Sequence, residues 1–203
     1  MEGYEHYDLQ DEDPYLIPGS TCLKNLLGIT DTSQLLQAEA EISAAALAEL
    51  IASPVDPTFD LSHLCRIHRR LFGDLYAWAG EVRNTEISKG GKLFLPYRLV
   101  EQKSGEIFTE LQQEGYLKNL DMAQFAARAG YYLGKINMIH PFREGNGRTQ
   151  RVLLDQLAEL SGFGFEWSGV SGEQMAQACR AARQDKPDYG PLQRLLKICI
   201  VRL

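Results

Sequence analysis

The chain has 203 residues, enough for one domain that buries roughly 70% of its unfolded surface without disulfide or metal staples. Apolar residues at 44% and charged residues at 24% are those of an ordinary globular protein, and a net charge of −6 gives no support to a nucleic-acid-binding face. The amino terminus is rich in acid (Glu2, Glu5, Asp8, Asp11, Glu12, Asp13), the reverse of a secretion signal, and no apolar run is long enough to cross a bilayer. The expectation is a cytoplasmic protein with no membrane segment and no direct nucleic-acid contact.

Residues 1–20 carry no helical period and are punctuated by Pro14, Pro18 and Gly19, which predicts a flexible tip and an extended arm with Tyr15, Leu16 and Ile17 laid on the body. Residues 21–203 read as one domain. Asp31 with Gln34 three residues on is a box-like helix start, and the Ala/Leu/Glu-rich run that follows predicts a helix to about Ser53. Asp60 caps a second helix, whose stripe of Leu61, Leu64, Ile67, Leu71 and Leu75 continues towards a close at Trp78–Gly80. On it, Arg66, Arg69 and Arg70 read as a solvated face. Gly90-Gly91 between two short strand-like runs predicts a tight hairpin at about 84–96, because such turns need positive φ. Further helices are predicted over 98–114, 121–138, 147–161, 173–184 and 189–202. The four cysteines lie far apart and form no C-x-x-C, which argues against zinc; Cys179 and Cys199 read as small core residues. The fold class is therefore all-α: a compact bundle of about seven helices with one projecting β-hairpin.

The loop between the helices at 121–138 and 147–161 carries the chemistry: His140-Pro-Phe142-Arg-Glu144-Gly145-Asn146-Gly147-Arg148-Thr-Gln-Arg151. Gly145-Asn146-Gly147 lets successive backbone N–H groups turn inward around an anion, and the positive end of the following helix reinforces the nest. Arg148 and Arg151 fall on one face of its first turn, where their forks can grip phosphate oxygens. Glu144 is a hard oxygen donor suited to Mg²⁺ beside a phosphate. His140, backed by apolar residues, can take a proton from an alcohol near neutral pH. Each feature has an innocuous explanation alone: a turn histidine, a helix entry, a surface ion pair. Their conjunction by chance has a probability on the order of 10⁻⁸ from average residue usage.

This segment resembles the signature of the Fic family, H-x-F-x-[D/E]-G-N-G-R-x-x-R, at every defined position. Asp13–Ser20 with Leu23-Lys-Asn25 and Gly28-Ile29 is similar to the family's amino-terminal arm, and Trp78–Arg83 with Ile87–Gly91 to its flap. The resemblance implies a Fic-type domain transferring AMP from Mg·ATP to a hydroxyl of a target protein. It implies His140 as general base, Phe142 as the anchor of the loop, and Glu144 as the holder of Mg²⁺. Gly145, Asn146 and Gly147 would form the anion nest, the Asn146 side chain orienting the α-phosphate. Arg148 would contact the β-phosphate and Arg151 the γ-phosphate. Lys89 and Gly90 at the hairpin tip would border the nucleotide, and the hairpin would register an extended target segment by strand addition.

Many Fic proteins carry an inhibitory helix reading [S/T]-x-x-x-E-[G/N], whose Glu pairs with the second arginine. No glutamate of this chain stands in that pattern. The expectation is a short toxin-type Fic protein restrained by a small antitoxin that supplies its Glu to Arg151, with DNA gyrase or topoisomerase IV as targets. The alternatives are a Fic relative transferring another nucleotide or a phosphate group, and a non-catalytic nucleotide-sensing helical module.

Overall fold

The computed structural model describes residues 13–203, so the acidic tip of the expected arm at 1–12 lies outside the described residues. Seven α-helices make up most of it: α1 (Thr32–Ala52), α2 (Leu61–Phe72), α3 (Val100–Gln113), α4 (Met122–Ile139), α5 (Asn146–Glu159), α6 (Gly172–Ala182) and α7 (Gly190–Cys199). This is the expected class. Helix starts are written in the sequence. The Asp31 carboxylate accepts from the Gln34 N–H at 2.8 Å and the Asp60 carboxylate from the His63 N–H at 2.7 Å, each satisfying a donor that the first turn cannot. Full capping boxes open α4 (Asp121, Gln124) and α6 (Ser171, Gln174).

Helix α4 is the axis of the bundle. Phe125, Ala126, Ala129 and Tyr132 on it are wholly buried, and it packs on α3, α5, α6 and, most extensively, α7. Gly130 and Gly134 allow that closeness: a Cβ at Gly130 would lie 2.8 Å from the Gln193 backbone, and one at Gly134 2.5 Å from the Tyr189 ring. Helices α1, α2 and α5 close the other side.

The hairpin is tighter than its apolar pattern suggested. Strand β1 (Ser88–Lys89) pairs antiparallel with β2 (Lys92–Leu93), and Gly90 and Gly91 take φ of 63° and 72°, the positive values that such a two-residue turn demands.

Two predicted elements end early. Helix α2 stops at Phe72 instead of running towards Trp78; Leu75 and Tyr76 stay buried because the turn that follows packs inward, so the apolar stripe outlasts the helix. Helix α7 stops at Cys199, and Ile200–Arg202 forms β4, paired antiparallel with an unforeseen strand, β3 (Phe163–Phe165). Ile200 keeps the core-facing spacing of the helix, which masks the change to extended backbone. Among the described residues no helix is long and apolar enough to cross a membrane.

The described part of the arm is laid on the body. Tyr15 is buried with its ring edge-on to Trp78, and its hydroxyl accepts from the Asn84 N–H at 3.2 Å. Asp13 forms an almost fully buried ion pair with Arg143, 2.7 Å apart, so the arm holds the loop between α4 and α5 directly.

Candidate active site

The loop 140–145 joins α4 to α5 and is braced from all sides. Helix α4 ends in His140, whose left-handed backbone (φ 49°, ψ 67°) turns the chain sharply. The carbonyls left open at that end are collected by Arg83, only 2% exposed: Nε donates to the His140 oxygen at 2.8 Å and Nη2 to the Ile139 oxygen at 3.2 Å. The same guanidinium donates to the carbonyls of Thr85, at 2.7 Å, and Leu95, tying both roots of the hairpin to the end of α4.

Phe142 is buried completely and stacks on His68 with ring centroids 4.0 Å apart. His68 Nε2 donates to the Glu144 carbonyl at 2.9 Å, while its Nδ1 accepts from the Gly80 N–H at 2.8 Å, which fixes the tautomer. Burial pushes its pKa down to about 3. Asn146 accepts from the Phe142 N–H at 3.0 Å and donates to the Phe142 carbonyl at 2.8 Å. What the structure shows of this side chain is that it holds the loop closed.

Gly145, the N-cap of α5, takes φ 78°, and a Cβ there would sit 2.4 Å from the Phe72 ring. Both facts require glycine: one forbids L-residues on strain, the other on space. From this turn the first N–H groups of α5 open into a cavity of about 210 Å³. His140, Glu144, Gly145, Asn146, Gly147, Arg148 and Arg151 line that cavity, with Lys89 and Phe94 from the hairpin. Gly90, at the hairpin tip, is not among the lining residues. Met175 and Cys179 of α6 and Arg183 at its end also line the cavity, none of which the sequence pointed to as a site residue.

His140 is buried, and its Nδ1 lies 3.0 Å from the Asn137 carbonyl, which can only accept. Nδ1 therefore carries the proton and Nε2 is the basic atom. Burial, then the cations Lys89, Arg183 and Arg83, hold the imidazole pKa well below its usual value. The ring is therefore neutral at physiological pH.

The two arginines differ sharply. Arg148 donates through Nη1 to Ser43 Oγ at 2.8 Å and through Nη2 to Glu39, and its guanidinium lies 4.7 Å from the Phe72 ring centroid. Glu39, 1% exposed, also accepts from the Tyr76 hydroxyl. A buried carboxylate one turn from a buried serine on α1 thus binds Arg148, a contact with no local mark in the chain. Arg151 has no hydrogen bond or ion pair among the described residues. Glu144 is bonded by the Gly145 N–H at 2.8 Å and lies 4.0 Å from Arg148. Its carboxyl pKa is raised, first by burial and then by the Glu39 charge, so an arriving cation would be favoured. No cluster of three His, Cys, Asp or Glu side chains suited to a metal exists among the described residues. A single carboxylate beside an anion nest fits Mg²⁺ that takes its other ligands from phosphate and water.

Comparison with known proteins agrees with this geometry. The profile of the Fic/DOC family matches residues 58–158. The chain is 40% identical to the protein adenylyltransferase VbhT of Bartonella schoenbuchensis over 82% of its own length, but spans 35% of that longer protein. It is 37% identical to the probable protein adenylyltransferase Fic of Salmonella typhimurium, over 83% of this chain and 84% of the relative. Among solved structures, BepC of Bartonella tribocorum, with bound AMPPNP, superposes with a TM-score of 0.88 at 26% identity, covering 96% of this chain and all of that one. The N-terminal Fic domain of a cell filamentation protein from Bartonella quintana, with bound ADP, gives 0.87 at 26% identity, covering 95% of this chain and 97% of that one.

Proposed function

This chain belongs to the Fic/DOC family and is a protein adenylyltransferase, and on that premise we propose that it transfers AMP from ATP to a hydroxyl side chain of a target protein. The observation that carries the reading is the meeting, in one cavity, of a neutral buried histidine, the N–H nest of α5 and an uncommitted arginine. His140 Nε2 takes the proton of the acceptor hydroxyl. That oxygen attacks the α-phosphorus, the new P–O bond forms as the bond to the bridging oxygen breaks, and pyrophosphate leaves. The nest and α5 N-terminus bind the phosphates, Arg151 reaches the far end of the triphosphate, and Arg148, held by Glu39, offers a fixed positive charge near the β-phosphate. Glu144 would hold Mg²⁺, which when bound neutralises phosphate charge. The contribution of the protein is positioning and electrostatics.

The hairpin is the docking ribbon for an extended segment of the target, with Lys89 bordering the nucleotide and Gly90 shaping the tip. Among the described residues Arg151 makes no ion pair, whereas Arg148 is paired with Glu39. That contrast supports a small antitoxin protein that supplies a glutamate to Arg151 and blocks the γ-phosphate. DNA gyrase and topoisomerase IV are the first targets to test, and a cytoplasmic setting belongs to the same proposal.

The decisive experiment incubates the protein in a cell lysate with ATP labelled at the α- or the γ-phosphate. Protein-bound α-label that disappears in His140→Ala is the expected result. Protein-bound γ-label would show phosphoryl transfer, and tight ATP binding with neither label would show a sensor; either replaces the reading. Excess unlabelled UTP or GTP that competes better than ATP would reassign the nucleotide.

A further inference from the structure

Arg183 is the C-cap of α6, and it lines the cavity and reaches the hairpin. It is 8% exposed, its Nη2 donates to the Lys89 carbonyl at 2.7 Å, and its guanidinium carbon sits 4.0 Å from the centroid of the Phe94 ring. Phe94 in turn stacks on the His140 imidazole, with centroids 3.8 Å apart and planes 22° from parallel. A guanidinium and an imidazole each about 4 Å from one centroid would overlap if they shared a face, so the Phe94 ring lies between them. One stack therefore runs from the end of α6, through the hairpin, to the base.

Above its roots the hairpin is met by Arg183, which holds the Lys89 carbonyl, and by Asp185, which pairs with Lys92. Ile87 and Phe94 form a small apolar cluster of their own, apart from the main core. The backbone bond from the Leu95 N–H to the Met138 carbonyl, at 3.2 Å, and the carbonyls gathered by Arg83 secure the two ends. The imidazole is tethered through Nδ1 to the Asn137 carbonyl, and Phe94 packs against its face.

We propose that Arg183 is a positioning residue for the transfer reaction: it seats the hairpin against α6 and presses Phe94 onto His140, so that the seating of the hairpin fixes the orientation of the base. The inference rests on the reading of His140 as that base. Its logic couples acceptor docking to proton removal, because a segment laid along the hairpin bears on the ring that aligns Nε2. Among the described residues, the cations that act on His140 are Lys89 from the hairpin, Arg183 from the end of α6 and Arg83 from the segment before the hairpin. Removing Arg183 takes away one of these cations and lets water nearer the imidazole, and both changes raise its affinity for a proton.

The test compares the wild type with Arg183→Met, Arg183→Lys and Phe94→Leu by two readouts. The first is NMR titration of the His140 imidazole in the full chain, which needs no activity. The second is the pH profile of AMP transfer, with KM for ATP measured separately. Arg183→Met is expected to raise the His140 midpoint, to shift the acid limb of the rate profile upward with it, and to lower kcat by ~10-fold or more through a misaligned base. Arg183→Lys keeps the charge but not the fork, and should restore the midpoint while recovering only part of kcat. Phe94→Leu, with Arg183 intact, should raise the midpoint by a smaller amount. A His140 midpoint that stays put in both Arg183→Met and Phe94→Leu overturns the proposal, as does a loss confined to KM for ATP. If no variant and no wild type transfers AMP, the functional reading fails, and the titration still decides the positioning claim.

Discussion

The two sides of the cavity are built on opposite principles. The phosphate side is a junction of three helices: α1 sends Glu39 and Ser43, α2 sends His68 and Phe72, and α5 offers its N-terminus, all meeting on one loop. The hairpin side is a pair of two-residue strands, held at its roots by backbone bonds and above them by side chains from α6. The triphosphate is the same in every turnover and suits a preorganised mould, so backbone strain such as the left-handed His140 is tolerated there. An acceptor segment varies with the target and needs a surface that admits a chain. The bracing contacts from α1 and α2 converge where the ligand is constant.

The sharpest way to break this contrast is His140→Ala, which removes the group where the two sides meet. Transfer should fall by ~10³, within the range of a lost general base, while ATP binding, a property of the phosphate side alone, stays near wild type. Parallel labelling and calorimetry check it; loss of both together would mean that the imidazole belongs to the nucleotide mould.

Within the phosphate side the two arginines should separate. Arg151→Ala is expected to cost at least ~10² in turnover through a misplaced triphosphate, with a change in folding stability under about 0.5 kcal/mol. Glu39→Ala strands the Arg148 charge and the Tyr76 hydroxyl in the interior and should cost about 3 kcal/mol of stability, read by denaturant unfolding. Glu39→Gln, which keeps an acceptor for both, should recover a good part. Equal stability losses from Arg151→Ala and Glu39→Ala would erase the distinction between a held and a waiting arginine.

What the sequence disclosed divides along the same line. The loop 140–151 is contiguous, and its chemistry is readable because backbone conformation, helix end and side chains all lie within twelve residues. The helices and the Gly90-Gly91 turn are likewise local in origin. Glu39 is different. On an Ala-rich helix with Glu at 39, 41 and 49 nothing marks it as the buried one, and its partner is 109 residues away. His68, hidden among Arg66, Arg69 and Arg70, Arg83 in a connecting segment, and Arg183 at a helix end share that fate: each acts on backbone carbonyls or rings brought near only by the fold. Strands β3 and β4 were missed because each consists of three residues stabilised by the other, across a long separation.

Acid should probe the buried titratable groups of the bundle. His68 and His63 are held neutral by burial, at about 3 and about 4. Below their unfolded value near 6.5 the unfolded chain binds protons that the fold refuses, so their contribution declines as pH falls from there towards the folded values. Asp155, which accepts from the Trp167 indole, has its pKa raised by burial to about 7 and works the other way: between 7 and its unfolded value the fold holds a proton that the unfolded chain releases, and stability gains as pH falls. The net expectation is loss below pH 6.5, with a slope up to about 1.4 kcal/mol per pH unit for each uncompensated histidine. Asp155→Asn removes the opposing group and should steepen the decline. An unchanged slope in urea titrations would show that Asp155 ionises normally.

The smallest effect is expected on the hairpin side, and it separates real fastening from apparent fastening. Lys92 Nζ lies 2.9 Å from the Asp185 carboxylate, which on distance alone looks a better tether than the Arg183 stack. Asp185 is 97% exposed, however, so water and salt screen the pair and the two side chains lose entropy by meeting. Its carboxyl pKa is lowered by the hydrogen bond from Lys92 and then by the lysine charge, the direction expected of an ion pair, but a fully exposed one. Lys92→Ala should therefore leave kcat, KM for ATP and the His140 titration within about twofold of wild type and stability within about 0.5 kcal/mol. High salt should change the wild type no more than the variant. If Lys92→Ala instead matched Arg183→Met, the hairpin would be steered by surface charge, and the buried Arg183–Phe94–His140 stack would be its passenger.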